Sequence, residues 1–189
     1  MARPARLTKA EMVEKLEAVF KENGYEGASL KLLSDVTGLS KASLYHHFPK
    51  GKEEMAAHVL AHSGAHLQKL VLAPLSEKSA AGLQASFGGV ARYYGGAVPI
   101  CLMNSLLLGE GRALFGNQIG QAVAAWRKGI ADCLLAEGAN KPDAEAWAMD
   151  AIQRIQGALV LCRVTLSRDP LEASLSALKQ DLTEWLETD

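Results

Sequence analysis

The hydrophobic residues of this 189-residue chain recur at intervals of three and four along most of its length, which predicts amphipathic helices. The first apolar stripe lies within residues 12–20. The helix that it predicts ends at Gly24, because glycine suits the left-handed position after a helix. Thr8 and Glu11 precede this stripe at the three-residue spacing of a reciprocal capping box. We therefore predict that the first helix starts directly after Thr8.

Two shorter helices are predicted next, with a sharp turn between them. Ser29 is placed to cap the second helix, and Ser40 is placed to cap a third helix that continues to Phe48. Gly38 supplies the positive φ that the intervening reversal requires. Residues 8–48 thus form three predicted helices in which a glycine-containing turn joins the second to the third.

Further helices follow along the chain, so the predicted fold is an all-α, nine-helix architecture with two domains. The remaining apolar stripes lie within residues 55–70, 83–94, 100–108, 119–133, 147–166 and 171–185. Proline and glycine residues separate them, as expected for helix boundaries. The stretch 100–108 is apolar nearly all round, which predicts a buried helix too short to span a membrane.

The last two stripes are narrow and nearly heptad in spacing. This pattern favours an antiparallel helix pair that doubles into a four-helix bundle across a two-fold axis. The residues predicted at this dimer interface are Trp147, Ala151, Ile155, Leu159, Cys162, Leu166, Leu175, Leu178 and Leu182. We accordingly predict that Leu178→Asp disrupts the dimer, because it would bury an unpaired charge.

Composition supports a globular protein, since 49% of the residues are hydrophobic and suffice for a packed core. The formal net charge of −1 conceals an uneven distribution, with +3 on residues 1–52 and −4 on the remainder. A basic N-terminal part on an acidic body indicates a polyanionic partner for the first part and not for the second.

The cysteines argue against a disulfide framework or a structural zinc site. Cys101, Cys133 and Cys162 are widely spaced and form no Cys-x-x-Cys pair. Cys101 and Cys162 are interpreted as core thiols, with a redox sensor as the alternative for one of them. Without a signal core or an apolar run of the ~20 residues that cross a bilayer, the expected location is the cytoplasm. No cofactor is predicted.

The third helix has a polar outer face without carboxylates. At 100° per residue, Leu44 and Phe48 fall on one edge, while Ala42, Ser43 and His46 fall on the opposite side. Such a face is typical of a helix that meets phosphates and base edges in the DNA major groove. Basic residues lie on and around it: Arg3, Arg6, Lys41, Lys50 and Lys52. The alternative is an ordinary group of three packed helices.

The same region carries a family resemblance. Residues 36–54, VTGLSKASLYHHFPKGKEE, resemble the N-terminal signature of the TetR family of bacterial transcriptional regulators, and the resemblance extends over residues 8–56. It implies a homodimer in which an N-terminal domain, 1–52, binds DNA. The second domain, 53–189, would bind a small molecule and dimerise. Residues 99–109 resemble a subgroup whose members sense planar aromatic compounds such as flavonoids.

The resemblance also implies roles for individual residues. Tyr45 and Lys52 resemble the phosphate-contacting tyrosine and lysine of the family. Where the family has Phe-Pro-x-Lys-Glu, this chain has the longer Phe-Pro-Lys-Gly-Lys-Glu, which leaves the role of Lys50 open. Base-facing or backbone-facing places fall to Lys41, Ala42 and His46, and further backbone contacts to Ser29, Lys31 and Ser40. The predicted DNA-binding set is completed by Arg3, Arg6 and Ser43.

A ligand pocket is predicted from bulky apolar residues accompanied by a few polar groups, the composition of small-molecule sites. The candidates are Phe87, Tyr93, Tyr94, Met103, Asn104, Leu107, Phe115, Trp126, Gln153 and Gln156. At helical spacing each of them is also compatible with ordinary core packing. His58, His62 and His66 recur every four residues, and we interpret them as a polar helix face in preference to a metal site.

The predicted function is a ligand-responsive transcriptional repressor that binds a palindromic DNA operator as a homodimer. A small hydrophobic or aromatic effector would release it. One alternative is a small helical enzyme, although no Ser-His-Asp arrangement, phosphate loop or His-Glu-x-x-His pattern supports it. The other alternative is an adaptor whose first three helices bind protein instead of DNA.

Overall fold

The computed structural model describes residues 7–188, and every regular element within them is helical. The first three helices are α1 (Lys9–Gly27), α2 (Leu30–Thr37) and α3 (Lys41–His47). Helix α4 (Lys52–Leu67) continues through a π-helical segment, Gln68–Leu72, into Ala73–Leu75. The remaining helices are α5 (Ala80–Tyr93), α6 (Leu102–Leu106), α7 (Glu110–Ala136), α8 (Lys141–Thr165) and α9 (Asp169–Thr188). The predicted all-α, nine-helix architecture is confirmed for the described residues.

The capping box predicted before α1 is present. The backbone N–H of Glu11 donates to Thr8 Oγ1 at 3.2 Å, and the backbone N–H of Thr8 donates to Glu11 Oε2 at 2.7 Å. The Thr8 hydroxyl also donates to Glu11 Oε2, at 2.8 Å. The two hydrogen bonds that Thr8 donates to this carboxylate, from its backbone N–H and its hydroxyl, lower the pKa of the Glu11 carboxyl. Gly24 interrupts α1 with a φ of 66°, and a further helical turn then extends to Gly27.

The predicted turn between α2 and α3 is also confirmed. Gly38 adopts the left-handed conformation with a φ of 68°. Ser29 Oγ accepts from the backbone N–H of Leu32 at 3.2 Å, and Ser40 Oγ accepts from that of Ser43 at 3.1 Å. Both hydroxyl oxygens therefore cap a helix, which fixes where α2 and α3 begin.

By their internal contacts the residues form two compact units. The N-terminal unit contains residues up to Ser63 together with Leu102–Asn117, and the C-terminal unit contains Gly64–Cys101 together with the residues from Gln118 onward. The sequence placed a boundary after residue 52. In the structure the division falls later, after Ser63 of α4, and the N-terminal unit also includes Leu102–Asn117, which is distant in sequence. The functions assigned to the two predicted domains stay predictions.

The predicted buried helix at 100–108 is only partly present. Helical conformation is confined to Leu102–Leu106, where Leu102, Met103 and Leu106 are buried. Leu108 is instead 70% exposed, because the chain leaves the helix before Gly109, which has a φ of 53°.

The stripes of α8 and α9 lie inside the C-terminal unit, which corrects the predicted dimer interface. Helix α9 packs against both α8 and α5, so these apolar stripes are covered within one chain. The residues buried in this way are Ala151, Ile155, Leu159, Cys162, Leu175, Leu178 and Leu182. Trp147 is half-buried, and Leu166 is 77% exposed because it ends α8 in the left-handed conformation.

One arginine closes the C-terminus of α5. The guanidinium of Arg168 donates to the carbonyl oxygens of Tyr94 at 2.7 Å and Gly96 at 3.2 Å, and also to that of Ala91. These contacts satisfy carbonyl groups that a helix end leaves without partners.

Within residues 7–188, no helix combines the length and the apolar character needed to cross a bilayer.

Candidate nucleic-acid interface

Helix α3 has one buried edge and one exposed face, as its sequence predicts. Leu44 and Phe48 are fully buried, whereas Lys41, Ala42 and His46 are exposed. The exposed face also includes Tyr45 and, in part, Ser43. Beside it lies a shallow depression of about 310 Å³, lined by Leu7, Leu39, Ala42, Ser43, His46 and His47. Because only the edge with Leu44 and Phe48 is buried, the polar side chains on the other face of α3 are available to a partner.

Phe48 fixes the end of α3 within the N-terminal unit. The ring of His58 from α4 meets the Phe48 ring edge-on, with centroids 5.6 Å apart. The ammonium of Lys9 from α1 lies 5.1 Å from the centroid of the same ring. Because aromatic and cation–π contacts hold Phe48 from two helices, the orientation of α3 follows from the packing beneath it.

Gly51 sets the position of Tyr45. Gly51 has a φ of 68°, and a Cβ atom added to it would lie 2.9 Å from Tyr45 Cε1. The tyrosine ring therefore packs directly on the glycine backbone, while 45% of the residue remains exposed. This role of Gly51 was not predicted from the sequence, although the extra residue in Phe-Pro-Lys-Gly-Lys-Glu was the available signal.

Lys52 is oriented by an aromatic ring. Its ammonium lies 4.4 Å from the centroid of Tyr25, and the side chain is half-buried. Burial raises the pKa of the Tyr25 phenol, and the charges of Glu53 and Glu110 raise it further. The ring thereby holds the ammonium while leaving its N–H groups free to donate to an anion.

The other lysines near α3 are exposed cations. In the described part of the chain, no carboxylate lies within salt-bridge distance of Lys31, Lys41 or Lys50. Lys50 contributes its backbone N–H to Glu54 Oε2 at 2.9 Å, which leaves its ammonium unpaired. Arg3 and Arg6, predicted in the same set, lie outside the described residues.

The segment 102–117 packs on the end of α1 within the N-terminal unit. Ser105 Oγ donates to the carbonyl oxygen of Lys21 at 2.7 Å, and Gly24 approaches the Ser105 backbone so closely that a Cβ would lie 2.8 Å from its oxygen. The rings of Tyr25 and Phe115 meet edge-on at 5.6 Å. This contact between distant segments was not predicted. Helical periodicity shows which residues are buried, but it does not show which segment of the chain covers them.

The residues predicted for the ligand pocket divide between the two units. Met103, Asn104, Leu107 and Phe115 belong to the N-terminal unit, where Met103 and Phe115 are buried. The others, Phe87, Tyr93, Tyr94, Trp126, Gln153 and Gln156, belong to the C-terminal unit. In that unit Phe87, Tyr94 and Trp126 are buried, whereas Gln153 is exposed.

Tyr94 is the centre of a buried polar cluster in the C-terminal unit. Its hydroxyl lies 3.5 Å from Cys101 Sγ and 3.4 Å from Gln156 Nε2, and its ring meets that of Tyr93 edge-on at 4.7 Å. Burial raises the pKa of this phenol well above its ordinary value, so it is a neutral hydrogen-bonding group at physiological pH.

Trp126 is the second unusual polar group of this core. Its side chain is fully buried, and its indole N–H has no hydrogen-bond partner among the described residues. A buried donor without an acceptor costs ~1–3 kcal/mol.

Among residues 7–188, no group of three or more His, Cys, Asp or Glu side chains is arranged to hold a metal ion.

Two family descriptions match the chain. Residues 13–59 match "Bacterial regulatory proteins, tetR family", and residues 98–176 match "Transcriptional regulator LmrA/YxaF-like, C-terminal domain". The uncharacterized HTH-type transcriptional regulator YxaF of Bacillus subtilis is 34% identical over 61 residues, which make up 32% of this chain and 32% of that protein. The match thus spans about a third of this curated relative.

Solved structures share the fold. A TetR transcriptional regulator from Legionella pneumophila superposes with a TM-score of 0.77 at 20% identity, over 95% of this chain and 99% of that one. A TetR-family regulator from Cytophaga hutchinsonii superposes with a TM-score of 0.71 at 20% identity, over 95% of this chain and 98% of that one. At this identity the likeness concerns the fold alone.

Proposed function

Because the chain belongs to the TetR family of bacterial transcriptional regulators, we propose that it is a ligand-responsive repressor that binds a palindromic operator as a homodimer. The family consists of transcription factors, so the enzyme interpretation is abandoned. The observation that carries the proposal is the exposed face of α3, which lacks carboxylates and is flanked by unpaired lysines.

This face suits the major groove of DNA. Lys41, Ala42 and His46 stand on the exposed side of a helix anchored by Phe48, where side chains can reach base edges or phosphates. Tyr45 and Lys52 lie near the end of the same helix and would contact phosphates. Unpaired ammonium groups add affinity there, because each phosphate contact releases counterions.

Operator binding is tested with DNA selected from a random pool, followed by anisotropy titration at several salt concentrations. Lys41→Ala is expected to weaken binding and to reduce the slope of log affinity against log salt by about 1. Lys179→Ala, which removes an exposed cation from α9, serves as the matched control and should change neither quantity. Absence of saturable, sequence-selective binding at low salt would refute the DNA proposal.

The proposed dimer uses an exposed apolar face of α8. Val160, Leu161 and Val164 are 55%, 53% and 73% exposed, and Gly157 lies one turn before them on the same side. Contiguous exposed apolar side chains on a helix are typical of an interface. Ala173 and Ala177 of α9 are exposed as well and permit close approach of a second helix. A two-fold dimer of this kind matches a palindromic operator.

The proposed effector site lies in the core of the C-terminal unit, where Trp126 and Tyr94 are buried. The unpaired indole N–H of Trp126 favours an effector that brings a hydrogen-bond acceptor, since such a group would remove the cost of the orphaned donor. A planar aromatic compound with a carbonyl or phenolic oxygen meets this requirement. To act as an inducer, it must bind the DNA-incompetent state more tightly than the DNA-bound state.

The effector proposal is tested by screening aromatic compounds for release of the selected operator. Active compounds should lose affinity on Trp126→Phe, which keeps an aromatic ring but removes the N–H, while operator binding without the compound persists. If every releasing compound binds Trp126→Phe as tightly as the original protein, this site is wrong.

A regulator that reads chromosomal DNA would act in the bacterial cytoplasm.

A further inference from the structure

A small pocket lies in the C-terminal unit among the ends of three helices. It has a volume of about 200 Å³ and is lined by Leu134, Ala139, Asp143, Ala144, Trp147 and Trp185. These residues come from the end of α7, the loop that follows it, the start of α8 and the last turns of α9. Trp126 is not among them, so the pocket is independent of the proposed effector site.

Indole rings dominate this pocket. It is lined by two of the three tryptophans of the chain, and both Trp147 and Trp185 are only half-buried. The Phe87 ring lies behind Trp147, with centroids 6.1 Å apart and planes inclined by 43°. Trp147 is therefore supported on its inner side while part of its surface faces the pocket. Tryptophan is also the aromatic side chain that attracts cations most strongly.

A carboxylate stands beside the two indoles. Asp143 lies in the first turn of α8, where a negative charge interacts favourably with the helix dipole. Asn140 positions it, because its amide Nδ2 donates to Asp143 Oδ2 at 2.6 Å and its Oδ1 accepts from the Asp143 backbone N–H at 3.0 Å. The neighbouring cation, Lys141, lies 3.8 Å from Glu145 instead. The negative charge of Asp143 is thus available to a ligand.

We propose that this pocket binds a small organic cation of the quaternary ammonium class. The methyl groups would pack on the indoles of Trp147 and Trp185, and the Asp143 carboxylate would balance the charge. The volume is below the ~300–1,000 Å³ typical of drug-sized sites, so the pocket suits a trimethylammonium group and not a polycyclic aromatic compound. Aromatic side chains combined with one carboxylate favour a cation over a neutral molecule of equal shape.

The experiment compares two probes that differ in charge and hardly in shape. Choline and its neutral analogue 3,3-dimethyl-1-butanol are titrated into the full-length protein by calorimetry, and binding of the N-methyl groups is followed by saturation-transfer NMR. Choline should bind saturably, at least about tenfold more tightly than the neutral analogue. Equal binding of the two probes, or no saturable binding of choline at millimolar concentration, overturns the proposal.

Variants separate the pocket from the rest of the surface. Asp143→Asn and Trp185→Leu should each weaken choline binding by about fivefold or more. Glu145→Gln, which changes an exposed carboxylate outside the pocket lining, is the charge control and should not weaken choline binding. Since Trp185→Leu could loosen α9, the near-isosteric Asp143→Asn decides the matter: choline affinity unchanged in that variant, with an unchanged melting temperature, also overturns the proposal.

Discussion

A carboxylate oxygen of Glu26, in the last turn of α1, accepts a hydrogen bond from the backbone N–H of Glu110 at 2.9 Å, across 84 residues of chain. The donor, Glu110, is the first residue of α7, where backbone N–H groups have no partner within the helix. Gly109 permits the approach, because a Cβ added there would lie 2.0 Å from Glu26 Oε1. Glu26 therefore caps a helix from a distant part of the sequence.

Replacing Glu26 by alanine should lower the free energy of unfolding by about 1 kcal/mol, since the first turn of α7 loses its acceptor. Urea denaturation followed by circular dichroism measures the change. Glu22→Ala is the matched control, because Glu22 is an exposed glutamate of the same helix without a capping contact in the described structure. Equal losses in the two variants would show that the contact with Glu110 contributes nothing.

Gly51→Ala should reduce operator affinity by displacing Tyr45, in addition to the ~1 kcal/mol of strain from a positive φ. Gly138→Ala separates the two effects, because Gly138 also has a positive φ, of 103°, but a Cβ there would meet nothing within 4 Å. The control should lose comparable stability and keep its DNA affinity. Anisotropy titrations of both variants measure this, and equal affinities would contradict the role of Gly51.

Val164→Asp should convert the proposed dimer to a folded monomer, because it places a charge on the exposed apolar face of α8. Leu178→Ala is expected to act differently, since Leu178 is fully buried within the chain: it should cost ~2–5 kcal/mol of stability at unchanged molecular mass. Light scattering gives the mass and thermal melting gives the stability. A Val164→Asp variant with the mass of the original protein would disprove this interface.

The capping box makes a contribution to stability that depends on pH. Hydrogen bonds from Thr8 lower the pKa of Glu11 in the folded state, so the unfolded state binds its proton more tightly. The contribution is present above the unfolded pKa and is lost as the pH falls through the lower folded pKa. The melting temperature of Glu11→Gln should therefore lie below that of the original protein at pH 7 and approach it in strong acid. Glu14→Gln, without a capping contact, should show no such convergence.

The start of α1 and the turn around Gly38 were predictable because their causes are local. A hydroxyl capping the N–H three residues later, or a glycine at positive φ, involves neighbours within one turn of chain. The face of α3 followed from the spacing of Leu44 and Phe48 alone. The position of Tyr45 was not predictable, because it depends on how closely its ring approaches the backbone of Gly51.

The amino-acid sequence by itself determined the helices, their caps, the buried edge of α3 and the family resemblance, since each depends on residues close together in the chain. The tertiary structure decided which apolar stripes face one another. Leu178 and Ile155 show periodicity equally compatible with an internal core and with a dimer seam, and packing of α9 on α8 and α5 assigned them to the core. Apolar burial is non-directional, so a pattern of hydrophobic residues states that a face is covered, but only the fold determines what covers it.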